Sequence, residues 1–311
     1  MKLSAIIPAT DQPSTLAACE KAIAESQERP DEVVIVRDPS FGGPAQGRNL
    51  GAQQATGDVL VFVDADVEVH PDAFSLIRAA FERDAELTGV FGSYDDDPER
   101  HGLVSDFRNL LHHHVHQEGA GEAITFWAGL GAVRREAFLA VGGFDEQRFP
   151  YSSIEDIELG VRLVANGGRI LLDPAIQGKH LKRWTLSGMV RTDLVRRGIP
   201  WVQLIVERGS GSTALNLSWR HRASAGASVL LTGSLLARKP RGVFLAGGVL
   251  YALNAPFYRL LLRRRGLTQA AVGIPLHVVH HLAGAAAVPG AALVQLEDLV
   301  RRRKSRRIRQ D

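Results

Sequence analysis

The chain has 311 residues, a formal net charge of +3 and a single cysteine, Cys19. That length buries a full α/β domain with material left over, so two parts are expected. One cysteine excludes a disulfide framework and a thiolate zinc site, fits a reducing compartment, and leaves Cys19 as a small buried residue.

Met1 to Pro8 has a short apolar stretch and no small-residue cleavage site, so it reads as a first strand and not a signal peptide, which places the N-terminal half in the cytoplasm. From Lys2 to about Gly92, short apolar runs alternate with amphipathic ones. The pairs are Leu3 to Ile7 with Ser14 to Ser26, Val33 to Val36 with Pro44 to Ala55, and Val59 to Val63 with Pro71 to Arg83, followed by Thr88 to Phe91. Repeated βα units of this kind predict a mostly parallel sheet flanked by helices, with right-handed crossovers.

Tyr94 to Leu217 is less regular. Asp95-Asp96-Asp97-Pro98 reads as an exposed loop, and Val104 to Val115 as a helix carrying His112, His113, His114 and His116. Successive residues point to different helix faces, so at most two of these histidines can share an ion, and a substrate-lining or interfacial helix is the better account. Ile124 to Val133 resembles a strand and turn; Arg134 to Val141 is a helix stopped by Gly142-Gly143; Ile154 to Ala165 is an amphipathic helix closed by Asn166-Gly167-Gly168. Beyond Arg222 the stretches Ala223 to Ala237, Val243 to Leu262 and Ala270 to Leu296 are apolar and nearly uncharged. They predict a helical membrane-associated region over 218–300, arranged as a hairpin plus an interfacial or re-entrant third segment, after a nucleotide-sugar domain over 1–217. Residues 301–311 form a basic tail suited to anionic membrane lipids; no aromatic residues interleave its arginines, so nucleic acid is not the expected partner.

Chemistry gathers at the strand exits. Asp64-Ala65-Asp66 follows the apolar run Val59-Leu60-Val61-Phe62-Val63, so two carboxylates surface together where ligands of open α/β sheets collect. Hard oxygen donors there favour Mg²⁺ or Mn²⁺ over zinc, with Asp66 as the ligand nearest the phosphates. Strand one ends in Pro8-Ala9-Thr10-Asp11 and strand two in Ile35-Val36-Arg37-Asp38, at the same edge. A nucleotide across that edge would meet Pro8, Thr10, Ala65 and Asp64, with Thr10 at base or ribose, Asp64 at the ribose hydroxyls and Asp38 at a base N–H. Arg48 is placed either to support a strand end or to reach a phosphate, and Asn49 to hold backbone. Gly42 to Gly47 lacks a phosphate-loop spacing and a Walker lysine, so it reads as a plain loop before a helix. Downstream, Glu155 and Asp156 open a helix where acids complement the dipole. They also follow a glycine-containing segment, including Gly129, that can floor an acceptor pocket, and a carboxylate there can take the proton of an attacking hydroxyl.

These motifs in this order resemble the membrane-attached family-two glycosyltransferases of the GT-A fold. The resemblance covers Met1 to about Val206: Ile-Ile-Pro, Arg48-Asn49 before Gly51, Gly57-Asp58 leading to Asp64-Ala65-Asp66, Val141 to Glu146, Glu155-Asp156, and His180-Leu181-Lys182-Arg183-Trp184. It implies that Asp66 coordinates Mg²⁺ or Mn²⁺, that Asp38 recognises the base, and that Asp156 is the catalytic base beside Glu155. His180 would complete the metal shell or contact the diphosphate. Lys182 and Arg183 would face phosphates of donor or acceptor, while Trp184 would stack on a sugar or pack at the membrane boundary. The chain departs from the family at Arg37-Asp38-Pro39-Ser40, where two acids usually precede the serine, and at Asp11, which replaces an asparagine. The implied activity is inverting, metal-dependent hexosyl transfer from a nucleoside-diphosphate sugar to an envelope, polysaccharide or lipid-linked hydroxyl at the cytoplasmic face of the inner membrane. A sugar-nucleotide pyrophosphorylase would need a glycine-rich basic loop after strand one, which Pro8 to Thr15 does not provide. A non-catalytic sugar-nucleotide sensor would not need both Asp66 and Asp156.

Overall fold

The structure is a computed structural model that describes residues 1–37, 42–208 and 218–308, with side chains to residue 296 apart from that of Arg208. Asp38 and the side chains of the basic tail therefore lie outside the described residues. Strands β1 (Leu3–Pro8), β2 (Glu32–Val36) and β3 (Val59–Val63) pair in parallel with β1 in the middle, and helices α1 (Leu16–Ala24) and α2 (Pro44–Gln54) make the crossovers. All of β3 is fully buried. Each such side chain contributes roughly 1.5–3 kcal/mol relative to exposure, so this run, covered on both faces, fixes the centre of the sheet. Phe62 anchors an aromatic cluster, with ring centroids 5.4 Å from Phe138 and 5.1 Å from Phe144.

After β3 the short β4 (Val67–Val69) and α3 (Ala73–Arg83) lead into β5 (Leu87–Tyr94), then α4 (Leu103–Glu118), β6 (Gly121–Ala123), β7 (Leu130–Arg134), α5 (Arg135–Ala140), α6 (Glu155–Ala165) and β8 (Arg169–His180). The strands form one eight-stranded sheet in the order β2-β1-β3-β7-β5-β8-β4, with β6 on β8. The α/β class and the parallel start agree with the sequence. Past β3 the sheet is mixed, because β7 enters antiparallel between β3 and β5 while β4 and β6 run against β8. β1, β2, β3, β5 and β8 nonetheless share one direction, so Pro8, Val63, Tyr94 and His180 end at one edge.

The chain then forms α7 (Leu186–Arg191), a π-helical turn over Thr192–Gly198, α8 (Ile199–Arg208), α9 (Trp219–Leu236) and α10 (Pro240–Ile308), the last bent at Gly266, whose φ is +80°. These helices dock on the sheet domain through α4: Phe107, Leu110 and Leu111 share a buried cluster with Met189, Phe257, Leu261 and Leu276. The acidic run read as an exposed loop is clasped from this side. Arg264 pairs with Asp96, and Arg265 pairs with Asp97 at 3.1 Å and with Asp106 at 2.7 Å. Pro240–Leu296 is long and apolar enough to cross a membrane, and 33% of its most apolar window is buried inside the protein.

Candidate active site

The shared strand edge gathers the site. Asp64 leaves β3 with its N–H donating to Gly129 O at 3.0 Å, and Val67 N–H returns to Asp64 O at 2.9 Å, a turn that presents Asp64 and Asp66 side by side. Leu181 N–H donates to Asp66 O at 2.9 Å, which ties this turn to the end of β8 and brings His180 beside it. Asp64, Asp66, Glu155, Asp156, His180, Lys182 and Trp184 all line one cleft, and Pro8, Thr10 and Ala65 line an adjoining recess that also includes Asp64, Asp66 and Lys182. Asp66 and Asp156, distant in sequence, thus face the same space.

Arg48 is the hub beneath that surface. Buried in α2, it reaches Asp64 Oδ1 at 2.6 Å and Glu155 Oε1 at 3.0 Å. It therefore supports a strand end. Glu155, read as catalytic, is buried, accepts from Ser153 N–H at 2.7 Å and is paired with Arg48; it orients the start of α6 and leaves Asp156 as the half-buried, more accessible carboxylate of the two. Burial pushes the Asp64 carboxyl up in spite of Arg48. Asn49 holds backbone as read from sequence, bonding Phe144 O and N, each at 2.9 Å.

Asp156 is set by α6 lying hard against the 125–128 segment. Its Oδ2 accepts from Ala128 N–H at 3.3 Å and its Oδ1 from Ile157 N–H at 2.8 Å. One turn later, a Cβ on Gly160 would sit 2.3 Å from Phe126 N, so only glycine allows this approach. Burial first, and the neighbouring Glu155 charge second, push the Asp156 carboxyl up to about 6. Gly160→Val is expected to cost about 1–3 kcal/mol by overpacking and to lower turnover by shifting α6. Chemical denaturation and steady-state rates check both, and unchanged values would remove the packing argument.

At the other side of the cleft His180 Nε2 lies 3.5 Å from Asp66 Oδ2. Its Nδ1 bonds Asn109 Oδ1 at 2.6 Å, and its ring stacks on Tyr94 with centroids 4.1 Å apart. The amide oxygen accepts from Nδ1–H, which points Nε2 at the Asp66 carboxylate. Burial alone would raise the Asp66 carboxyl, but His180 and Lys182 hold it below its ordinary value. A nitrogen and an oxygen donor facing one another, with the imidazole oriented by a hydrogen bond behind it, fit a divalent cation. Among the described residues no three His, Cys, Asp or Glu side chains converge as a metal would require, so a cation here would complete its shell from a bound diphosphate and water.

Gly129 is not among the residues that line the cleft: a Cβ there would meet the Trp127 ring at 2.3 Å, and the residue acts through its carbonyl on Asp64. Arg183 is solvent-exposed and lines neither the cleft nor the recess. Trp184 lines the cleft at its rim and carries two cations on its ring, Lys182 Nζ at 4.8 Å and the Arg108 guanidinium at 5.4 Å. The histidines of α4 divide by face, with only His112 and His116, one turn apart, bringing their rings together, centroids 4.0 Å apart. His112 faces the cleft, His113 and His116 bond the backbone oxygens of Tyr94 and Gly92 at 2.8 and 2.9 Å, and His114 stacks on Phe257. Cys19 is buried beneath Asp64, its thiol pushed up to about 12 by burial and then by Asp64, which makes it inert. Sequence reasoning missed Tyr94, Asn109, Arg108, Trp127, Arg196 and Arg197. Only the paired arginines carried a signal, two adjacent cations in an otherwise amphipathic stretch.

Residues 22–142 match the model of glycosyl transferase family 2. N-acetylgalactosaminyltransferase 7 of Drosophila melanogaster is 25% identical over 173 residues, 49% of this chain and 29% of that protein. O-antigen biosynthesis protein RfbC of Myxococcus xanthus is 28% identical over 166 residues, 48% of this chain and 13% of that protein. The chain therefore spans less than a third of these relatives. Among solved structures, mannosyltransferase PcManGT from Pyrobaculum calidifontis, in complex with GDP-Man and Mn²⁺, superposes with a TM-score of 0.55 at 14% identity, covering 94% of this chain and 87% of that one. The fold is thus GT-A-like.

Proposed function

With residues 22–142 a region of glycosyl transferase family 2, we propose that the protein transfers a hexosyl group from a nucleoside-diphosphate sugar to an acceptor hydroxyl, with inversion and with Mn²⁺ or Mg²⁺. The observation that carries this reading is the single cleft holding Asp66 with His180 on one wall and Asp156 on another. The complex of PcManGT with GDP-Man and Mn²⁺ supports a sugar-nucleotide donor.

In this reading Pro8, Thr10 and Ala65 bed the nucleoside, Asp38 meets the base, and Asp64, fixed by Arg48, faces the ribose. Asp66 and His180 would hold the cation, which offsets charge on the departing diphosphate when bound. Lys182 adds a second positive charge beside those phosphates. Asp156 takes the proton as the acceptor oxygen attacks the anomeric carbon and the bond from that carbon to the diphosphate breaks, so no covalent enzyme intermediate forms. Asp66→Ala is expected to abolish the Mn²⁺-dependent part of donor binding while leaving metal-free nucleotide binding in place. Calorimetry with a screened set of sugar nucleotides, with and without Mn²⁺, tests this; equal metal dependence in both proteins would remove Asp66 from the site.

The acceptor is proposed to be an envelope, polysaccharide or lipid-linked sugar, met at the cytoplasmic face of the membrane. Support comes from the turn between α9 and α10, where Leu236 is 80% and Phe244 81% exposed beside Arg238, Lys239 and Arg241. Apolar side chains ringed by cations suit insertion into an anionic lipid surface. Phe244→Ser with Leu236→Ser is expected to reduce co-sedimentation with anionic vesicles severalfold without changing the melting temperature, whereas unaltered co-sedimentation would move the attachment elsewhere.

A further inference from the structure

We propose that the inner end of the cleft is a binding site for a phosphate group carried by the acceptor, built on Arg197 and Arg108. This rests on the glycosyl-transfer reading and names the acceptor class it would take. Arg197 projects from the π-helical turn Thr192–Gly198 and lines both the cleft and a chamber behind Asp156 walled by Leu111, Val115, Phe126 and Trp201. Among the described residues its guanidinium makes no hydrogen bond and no ion pair within 4.0 Å. Asp156 and Asp193 act on it only through space, so its N–H donors lack hydrogen bonds, a cost that an anionic ligand relieves.

Its neighbour does not supply the relief. Arg108 is buried and fixed by Asp193 at 2.9 Å, and the same Asp193 is shared with His280 at 2.8 Å. Asp193 thus bonds Arg108 and His280 and acts on Arg197 only through space, so Arg197 keeps its N–H donors for a ligand. A guanidinium presents five N–H donors in a fixed fork, so Arg108 retains donors beyond its bond to Asp193. Neither arginine lines the recess that beds the nucleoside; both line the cleft and the chamber that Asp156 shares. Donor-side occupancy by a nucleoside diphosphate separates them from the donor's own phosphates. A phosphate dianion matches two forks on one wall. It would seat the acceptor beside Asp156.

The test measures binding, so that it stands apart from turnover. Thermal shifts are recorded with Mn²⁺ and saturating UDP or GDP, which fill the donor side. The probes are citronellyl phosphate against citronellol, and glucose 6-phosphate against glucose. A phosphorylated probe is expected to raise the melting temperature where its neutral counterpart does not, and which of the two does so distinguishes a lipid from a soluble source. Arg197→Ala and Arg197→Gln are expected to weaken that binding roughly ten- to hundredfold, with Arg197→Lys intermediate. The proposal is overturned if neither phosphate binds better than its neutral form, or if both variants bind it as wild type does. Failure of wild type to consume any sugar nucleotide would instead count against the glycosyl-transfer reading and leave a measured, Arg197-dependent phosphate site standing.

Discussion

Asp156→Asn is expected to lower transfer by about 10²–10⁴-fold while leaving donor affinity within about twofold, the signature of a lost general base. The amide keeps the shape and can still accept from Ala128 N–H, but it cannot take a proton from an attacking hydroxyl. A pH profile sharpens the point. Burial and Glu155 push the Asp156 carboxyl up to about 6, so the base form is present above that pH and is lost by protonation below it. In wild type, kcat/KM should therefore fall about tenfold per pH unit on the acid side of that value. The residual activity of the variant should lack this limb. A wild-type rate in Asp156→Asn, or an unchanged acid limb, would assign the proton transfer to another group.

Arg48→Met is expected to destabilise the protein by about 3–5 kcal/mol, the usual cost of stripping one partner from a buried ion pair. Arg48 is 4% exposed and satisfies Glu155, itself 3% exposed, as well as Asp64. Its removal leaves a buried carboxylate without a counter-charge and frees the start of α6. Urea unfolding measures the loss. Arg48→Met with Glu155→Leu should recover much of it, because the uncompensated charge is then gone, and that double variant separates ion pairing from lost volume. A loss under 1 kcal/mol in the single variant would mean that the pair carries little of the site's rigidity.

The parts of the molecule legible in its sequence are those with local causes. β3 and the Asp64–Asp66 turn follow from five consecutive apolar residues ending in acid, and α2, α3 and α6 from periodicity with glycine or proline at their ends. β7 was not legible as the antiparallel insert, because its run Leu130–Val133 carries no mark of which neighbours it pairs with. β8 was missed altogether: Asp173, Pro174 and Gly178 imitate turn chemistry, and only pairing with β4, β5 and β6 makes the segment a strand. The clasp of Asp96, Asp97 and Asp106 by Arg264 and Arg265 joins groups about half the chain apart, where local patterning is silent. Asn109 behind His180 is invisible for the same reason. Glu155 was drawn to the reaction by its neighbour, whereas burial against Arg48 gives it a supporting place.

The proposed glycosyl transfer requires Asp66 and Asp156, which line one cleft, to serve a single displacement at an anomeric carbon. The most direct measurement is the anomeric configuration of the first product, read by proton NMR before any mutarotation, from whichever α-linked sugar nucleotide the enzyme consumes with Mn²⁺. A β-linked product is expected, its formation lowered by about 10²–10⁴-fold in Asp156→Asn and stopped by removal of the metal. An α-linked product, or transfer at the wild-type rate without Asp156, would contradict the inverting mechanism.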